Sequence, residues 1–181
     1  MSIVTRTGDK GETGLFGPER TSKASARMHA TGTVDELNAV LGVLRAQHPM
    51  PEPISSQITR IQHLLFTVGA DLATPQSNTM NAKRVTENHV GTLERWIEEL
   101  EEQLPMLQSF ILPDGSAAGA TLHLARTVCR RAERWVVSLK GTESINPQIL
   151  IFLNRLGDYL FLAARAANGA QGKEETAVRY E

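Results

Sequence analysis

Apolar residues recur at helical spacing along most of this chain. Ile54, Ile58, Ile61, Leu65, Val68 and Leu72 follow one another at intervals of 4, 3, 4, 3 and 4. That rhythm puts six apolar side chains on one helical face. Upstream, Val34, Leu37, Val40, Leu41 and Leu44 form another stripe. Thr33-Val34-Asp35-Glu36 has the T-x-x-E form of a capping box, so the first helix is predicted to open at Thr33. Asp35 would then sit in its first turn, where an acid suits the helix dipole. Pro49, Pro51 and Pro53 break this helix from the next, and Pro75 with Gln76-Ser77-Asn78-Thr79 predicts a loop.

Three further helices follow. One starts near Thr86, carries Val90, Leu93, Ile97, Leu100 and Leu104, and ends at Pro105. The next begins at or after Ser116 with Leu122, Ala125, Cys129, Ala132, Val136 and Leu139. The last opens at Asn146-Pro147, an N-cap followed by proline in the first turn, and stops at Asn168-Gly169. Its run Ile149-Leu150-Ile151-Phe152-Leu153 is apolar all round, as expected for a central helix. No strand alternation is visible. The expected fold is all-α: one up-down bundle of about five helices over 33–168, preceded by a glycine-rich head (1–31) and followed by a polar tail (169–181).

Composition narrows the function. A chain of 181 residues suits one domain with a real core. Nineteen Lys plus Arg against 20 Asp plus Glu give a net charge of -1, so no nucleic-acid partner is expected. No apolar run approaches the ~18 residues of a membrane span, and the N-terminal segment has no apolar signal core. Cys129 is the one cysteine, which excludes an intramolecular disulfide and a thiolate zinc cluster. A reducing, cytoplasmic setting is expected. The histidines at 29, 48, 63, 89 and 123 lack ligand spacing and read as surface or satisfied side chains.

Candidate chemistry lies where polar residues interrupt the pattern. Gly8, Gly11, Gly14 and Gly17 recur every third residue among Thr5, Arg6, Thr7, Thr13 and Lys23. Such a segment can turn backbone N–H groups toward an anion. It lacks the G-x-x-x-x-G-K-[ST] spacing of a Walker loop, and it equally suits a frayed terminus. Arg126, Arg130 and Glu133 share one face of the fourth helix. Repulsion between the two arginines calls for an anion or carboxylates nearby, although a solvated basic face would also serve. Asn154, Asp158 and Arg165 form a polar line on the apolar last helix and need partners in the bundle, in another subunit or in a ligand. Phe110 opens an apolar loop before the arginine helix. No Glu-x-x-His pair, His-Glu-x-x-His or Gly-x-Ser-x-Gly occurs.

Together these segments resemble the PduO-type ATP:cob(I)alamin (corrinoid) adenosyltransferases. The resemblance rests on Thr5-Arg6-Thr7-Gly8-Asp9-Lys10-Gly11 with Thr13-Gly14-Leu15-Phe16, on Gly32-Thr33-Val34-Asp35-Glu36-Leu37-Asn38, and on Phe110-Ile111-Leu112-Pro113. It continues through Ala125-Arg126-Thr127-Val128-Cys129-Arg130-Arg131-Ala132-Glu133-Arg134 and Asn154-Arg155-Leu156-Gly157-Asp158-Tyr159-Leu160-Phe161. It implies a five-helix homotrimer with active sites between subunits, transferring the 5′-deoxyadenosyl group of ATP to the cobalt of reduced cobalamin and releasing triphosphate. Mg²⁺ would accompany ATP, with no metal held by the protein alone. Thr5, Arg6, Thr7, Gly8, Thr13, Gly14 and Lys23 would hold ATP from one subunit. Arg130, Arg131, Glu133, Arg134 and Asn154 would complete the site from its neighbour. Asp35 and Arg126 would pair across the interface, and Phe110 would press on the lower corrin face, displacing the axial base. An electron-donating reductase and a cobalamin-dependent acceptor enzyme are the further partners implied. The chain departs from the family pattern at Asp114, where glycine is usual, at Thr31, where an aromatic residue is frequent, and in a tail without the Trp-Arg common there. Two alternatives remain open at this point: a nucleotide-binding sensor or cobalamin chaperone, and a structural helical oligomer.

Overall fold

The computed structural model describes residues 4–78 and 81–180. Thr79 of the expected loop and the outermost residues of the head and tail lie outside them. Five helices are present: α1 (Ala26–Gln47), α2 (Ile54–Leu72), α3 (Glu87–Gln103), α4 (Ala117–Lys140) and α5 (Pro147–Ala170). Two short strands precede them, β1 (Glu12–Gly14) and β2 (Arg20–Ser22), paired antiparallel with Thr13 opposite Thr21. Three-residue strands are too short for a period-2 pattern to show, which is why the sequence carried no sign of them.

The first helix begins at Ala26, not Thr33. Ser25 is its N-cap and accepts the Met28 N–H at 3.3 Å. Thr33 sits mid-helix, where its hydroxyl donates to the His29 carbonyl at 2.7 Å. The buried face reads Arg27, Ala30, Val34, Leu37, Leu41, Leu44, at gaps of 3, 4, 3, 4 and 3. Arg27 hid the start of this stripe because its charge looks like a surface residue. Its guanidinium is buried, donating to the Leu72 carbonyl and pairing with Glu143 at 2.5 Å. Asp35 is therefore exposed in mid-helix, and the dipole reading of it does not apply. The other starts agree with expectation. Ser116 caps α4, Asn146 caps α5 ahead of Pro147, and the Thr86 N–H donates to His89 Nδ1 at 3.1 Å where α3 begins.

Side-chain pairs fix the helix directions. Arg27 meets Glu143 and Glu36 meets Arg131, so α1 and α4 are antiparallel. Cys129 donates to the Leu153 carbonyl and Ser116 meets Asn168, so α4 and α5 are antiparallel. Asn38 meets Gln62 and Arg27 meets Leu72, which makes α2 antiparallel to α1. Glu94 with Arg155 and Trp96 with Tyr159 run α3 parallel to α5. The bundle is up-down throughout. Its lower end holds the starts of α1, α3 and α5 and the finishes of α2 and α4. Its upper end holds the reverse set.

The core is one apolar cluster with α5 at its centre. Phe152, Leu153, Leu156, Tyr159, Leu160, Ala163, Ala164 and Ala167 are all fully buried. The buried Tyr159 hydroxyl is satisfied by Gln57 Oε1 at 2.8 Å. At the lower end Asp71 is buried and accepts from Arg84, the Val85 N–H and Asn146 at 2.7–2.8 Å, tying α2 to α5. Among the described residues, no helix is long and apolar enough to cross a membrane.

Candidate active site

The head is an ordered structure at the lower end. The Gly11 N–H donates to the Gly8 carbonyl at 3.2 Å and the Lys23 N–H to the Gly11 carbonyl at 2.8 Å, folding the strands' flanks together. Thr5 and Thr7 share a hydroxyl hydrogen bond of 3.0 Å, and Arg20 donates to the Thr7 carbonyl at 2.7 Å. Lys23 Nζ lies 3.0 Å from where a Cβ on residue 8 would stand, so glycine there lets the ammonium close over the backbone. Arg6 has a φ of 58°, sparsely populated for a non-glycine residue. Such strain concentrates at ligand clamps. The Phe16 N–H donates to the Ala73 carbonyl at 2.9 Å, and Asn78 donates to the Phe16 carbonyl at 2.6 Å, docking the hairpin on the finish of α2.

The arginine face of α4 lies against α5 as a polar seam. Asn154 donates to Glu133 at 3.1 Å. One turn on, Arg130 Cγ is 3.9 Å from where a Cβ on Gly157 would stand. A further turn on, the Arg126 guanidinium lies 5.4 Å above the Phe161 ring, within cation–π range. The positions descend α4 as they climb α5, as antiparallel packing requires. Arg131 points to the other side and pairs with Glu36. The side chains of Arg130, Arg134, Asp35 and Asp158 make no hydrogen bond or ion pair with any described residue. Arg165 differs from its neighbours in the polar line. It is 5 % exposed and fully engaged within the chain, whereas Asn154 and Asp158 face solvent.

The seam opens at the upper end into a cavity of about 1000 Å³, lined by Phe110, Ile111, Arg126, Asp158 and Phe161 among others. That volume is at the top of the usual range for small-molecule sites. Phe110 is 78 % exposed at its mouth, with Leu112 and Met106 also exposed beside it. An aromatic ring left in water beside an apolar cavity is poised to stack on a large flat ligand. The sequence had not flagged Asp158 and Phe161 as cavity residues. Their membership depends on the register between α4 and α5, for which a single chain offers no signal.

Two of the histidines are satisfied as expected. His89 caps α3, and His29 stacks on Trp135 with centroids 4.2 Å apart. His123 is the exception. It is buried beside Phe161, its Nε2 has no partner, and burial followed by the Arg126 charge lowers its pKa. Among the described residues no group of three or more His, Cys, Asp or Glu could hold a metal ion.

The head and the cavity occupy opposite ends of the bundle. A helix of 24 residues such as α5 spans ~36 Å. One chain therefore carries the hairpin with Lys23 at the lower end and the Phe110 cavity at the upper end, with the Arg130 seam running along the middle and lower part of α4 and α5 between them.

Known proteins are similar to this chain over nearly its whole length. The cobalamin adenosyltransferase family profile matches residues 3–167. A corrinoid adenosyltransferase of Bacillus subtilis is 44% identical over 184 residues, covering 100% of this chain and 93% of that protein. A cobalamin adenosyltransferase of Cupriavidus metallidurans is 43% identical, covering 94% of this chain and 90% of that protein. Among solved structures, a variant of a PduO-type ATP:corrinoid adenosyltransferase from Lactobacillus reuteri, complexed with cobalamin and ATP, superposes with a TM-score of 0.94. It is 39% identical and covers 99% of this chain and 100% of that one. A second variant of the same enzyme, complexed with ATP, gives a TM-score of 0.91 at 39% identity over 98% of this chain and 100% of that one. The chain belongs to the cobalamin adenosyltransferase family.

Proposed function

We propose that this protein transfers the 5′-deoxyadenosyl group of ATP to the cobalt of reduced cobalamin, forming adenosylcobalamin and releasing triphosphate. The family match across residues 3–167 carries this reading. Cobalt(I), part of the substrate, is the nucleophile: it attacks the 5′ carbon of ATP, a cobalt–carbon bond forms, and the bond from that carbon to the triphosphate oxygen breaks. The protein has to align the two reactants, a contribution that can reach ~7–11 kcal/mol. It also has to receive a highly charged leaving group, for which backbone N–H donors and arginines are well suited.

The residues divide between two subunits. Thr5, Arg6, Thr7, Gly8, Thr13, Gly14 and Lys23 of one subunit take the nucleotide, the lysine ammonium closing over the backbone at Gly8. Arg130, Glu133, Arg134 and Asn154 of the neighbour complete the nucleotide site, and Arg131, which pairs with Glu36 on the other side of α4, would join them by exchanging that carboxylate for the nucleotide. The side chains of Arg130 and Arg134 have no partner among the described residues, which suits them to meet phosphate. Asp35 and Arg126 meet across the interface, a pairing supported by the exposed Asp35 carboxylate having no partner among the described residues. Exposed charged side chains that find no partner among the described residues, Asp35, Arg130 and Arg134, support this division and the homotrimer that closes it. Mg²⁺ fits as a companion of ATP, because it is commonly held by phosphates and one or two carboxylates rather than by a protein cage. When bound there it would neutralise charge on the triphosphate.

Phe110 acts on the corrin. Its exposed ring at the mouth of the cavity takes the lower face and keeps the axial base off the cobalt, which makes reduction of cobalt(II) easier. A reductase supplies the electron and a cobalamin-dependent enzyme accepts the product, in the reducing cytoplasm. The decisive test is an anaerobic visible-spectrum assay with ATP, Mg²⁺ and chemically reduced cobalamin. Loss of the cobalt(I) band with growth of a light-sensitive adenosylcobalamin spectrum, dependent on protein and ATP, is the expected result. A flat spectrum with ATP bound would refute the transferase reading.

A further inference from the structure

The tail and the last turns of α5 are engaged with the loop that carries Phe110. Residues 105–116 leave the bundle after α3 and return at the Ser116 cap of α4. Arg165 and Asn168, neighbours on α5, hold the two ends of that excursion. Arg165 donates to the Pro105 carbonyl at 2.7 Å. Asn168 Oδ1 accepts from the Ser116 N–H at 2.8 Å and the Ser116 hydroxyl at 2.9 Å, while its Nδ2 donates to the Asp114 carbonyl at 3.0 Å. Asn168 comes this close because residues 115 and 119 lack side chains. A Cβ on Gly115 would sit 2.5 Å from Asn168 Nδ2, and one on Gly119 would overlap the amide outright.

The tail adds a third hold, in the middle. The Val178 N–H donates to the Phe110 carbonyl and the Leu112 N–H to the Thr176 carbonyl, both at 2.8 Å, with Ile111 opposite Ala177. These bonds clasp the backbone immediately after Phe110, on either side of Ile111. The tail is anchored in turn by Glu175, which takes Arg165 Nε at 2.5 Å. Arg165 is buried, so its charge needs this carboxylate. One guanidinium thus links the start of the loop to the segment that braces its centre.

We propose that Arg165, Glu175 and Asn168 are positioning residues that set the height and direction of Phe110 over the cavity, with the segment 176–178 as the brace. This rests on the reading of Phe110 as the group that presses on the corrin. It also gives the polar tail a role in the reaction, although none of its side chains need touch the reacting atoms.

The test uses Glu175→Ala in the full-length protein, with Glu175→Gln as the conservative variant and Phe110→Ala as reference. Each is loaded with ATP and cob(II)alamin, and the fraction of cobalt(II) freed of its axial base is read from the visible spectrum. Rates are then measured from cobalt(II) with a chemical reductant and from pre-reduced cobalt(I). Glu175→Ala is expected to lower the base-free fraction and slow the cobalt(II) route about tenfold or more, leaving the cobalt(I) rate within about twofold. Glu175→Gln, which keeps an acceptor for Arg165, is expected to recover most of the loss. In a Phe110→Ala background, Glu175→Ala is expected to add nothing. Equal slowing of both routes, or a loss additive with that of Phe110→Ala, would overturn the positioning role. If Phe110→Ala shows no preference for the cobalt(II) route, the reading of Phe110 fails first and this proposal falls with it. A selective Phe110→Ala effect beside a silent Glu175→Ala refutes the positioning role alone.

Discussion

Phe110 and Arg130 are conspicuous for opposite reasons, one an apolar ring left in water and the other a charge left without a partner. Phe110→Ala is expected to slow adenosylation from cobalt(II) by about 30-fold or more, the equivalent of the ~2 kcal/mol of a buried aromatic anchor, and to spare the rate from cobalt(I). Parallel rate measurements from the two oxidation states check this. Arg130→Ala removes charged hydrogen bonds to phosphate of ~1.5–3 kcal/mol, so ATP should bind about 10- to 150-fold more weakly. An ATP titration by calorimetry reads that directly. His123 makes a stability prediction instead. Its folded-state pKa is lowered from 6.5 by burial, so the unfolded chain binds its proton more readily. Stability should therefore fall as pH drops below about 6.5 toward the lowered folded-state value, and above 6.5 this residue contributes no pH dependence. Denaturant melts of the protein and of His123→Leu across this window should show a shallower slope in the variant.

At the scale of elements, the seam of candidate site residues lies between α4 and α5, which pack closely along their whole length. The core residues of α5 are sealed on all sides, which holds Asn154, Gly157 and Phe161 rigidly against Glu133, Arg130 and Arg126. The upper end of this pair is packed with little tolerance. Gly119→Ala would drive a methyl into Asn168, which can yield only by breaking its bonds to Ser116 and Asp114. A cost of about 1–3 kcal/mol and a Tm several degrees lower are expected, measurable by calorimetric melting. At Asp114 the side chain departs from the family's usual glycine, but it is the backbone that works in this turn. Its carbonyl receives Asn168, and Gly115 next door takes the left-handed conformation at φ 103°.

For the whole molecule, the proposed division puts the residues of each nucleotide site on two subunits. Lys23→Ala and Arg130→Ala should each be inactive alone, since each spoils every site in a homo-oligomer. Co-expressed in equal amounts, they should regain activity at about a quarter of sites, where an intact Lys23 face meets an intact Arg130 face. Activity assays on the purified mixed oligomer check this, with light scattering at micromolar concentration to establish the trimer.

Helix number, order and most boundaries were legible from apolar spacing and caps, because a bundle core is built from local periodicity repeated five times. The site motifs were legible too, in their chemistry. Where local signals misled, a long-range contact had the deciding role. Arg27 looked like a surface charge, but Glu143 and the Leu72 carbonyl let it be buried, and α1 starts at Ala26 rather than at the capping-box pattern of Thr33. Arg165, Asn154 and Asp158 looked alike along one helix. Packing separated them, sealing the first against Glu175 and leaving the other two on the seam. The glycine-rich head folds because backbone bonds to Ala73 and a side chain at Asn78 receive it. Periodicity is written residue by residue and can be read from the chain alone. Which face of one helix meets which face of another, and which end of the bundle receives the head or the tail, depends on contacts tens of residues apart, and these exist only once the chain has closed on itself.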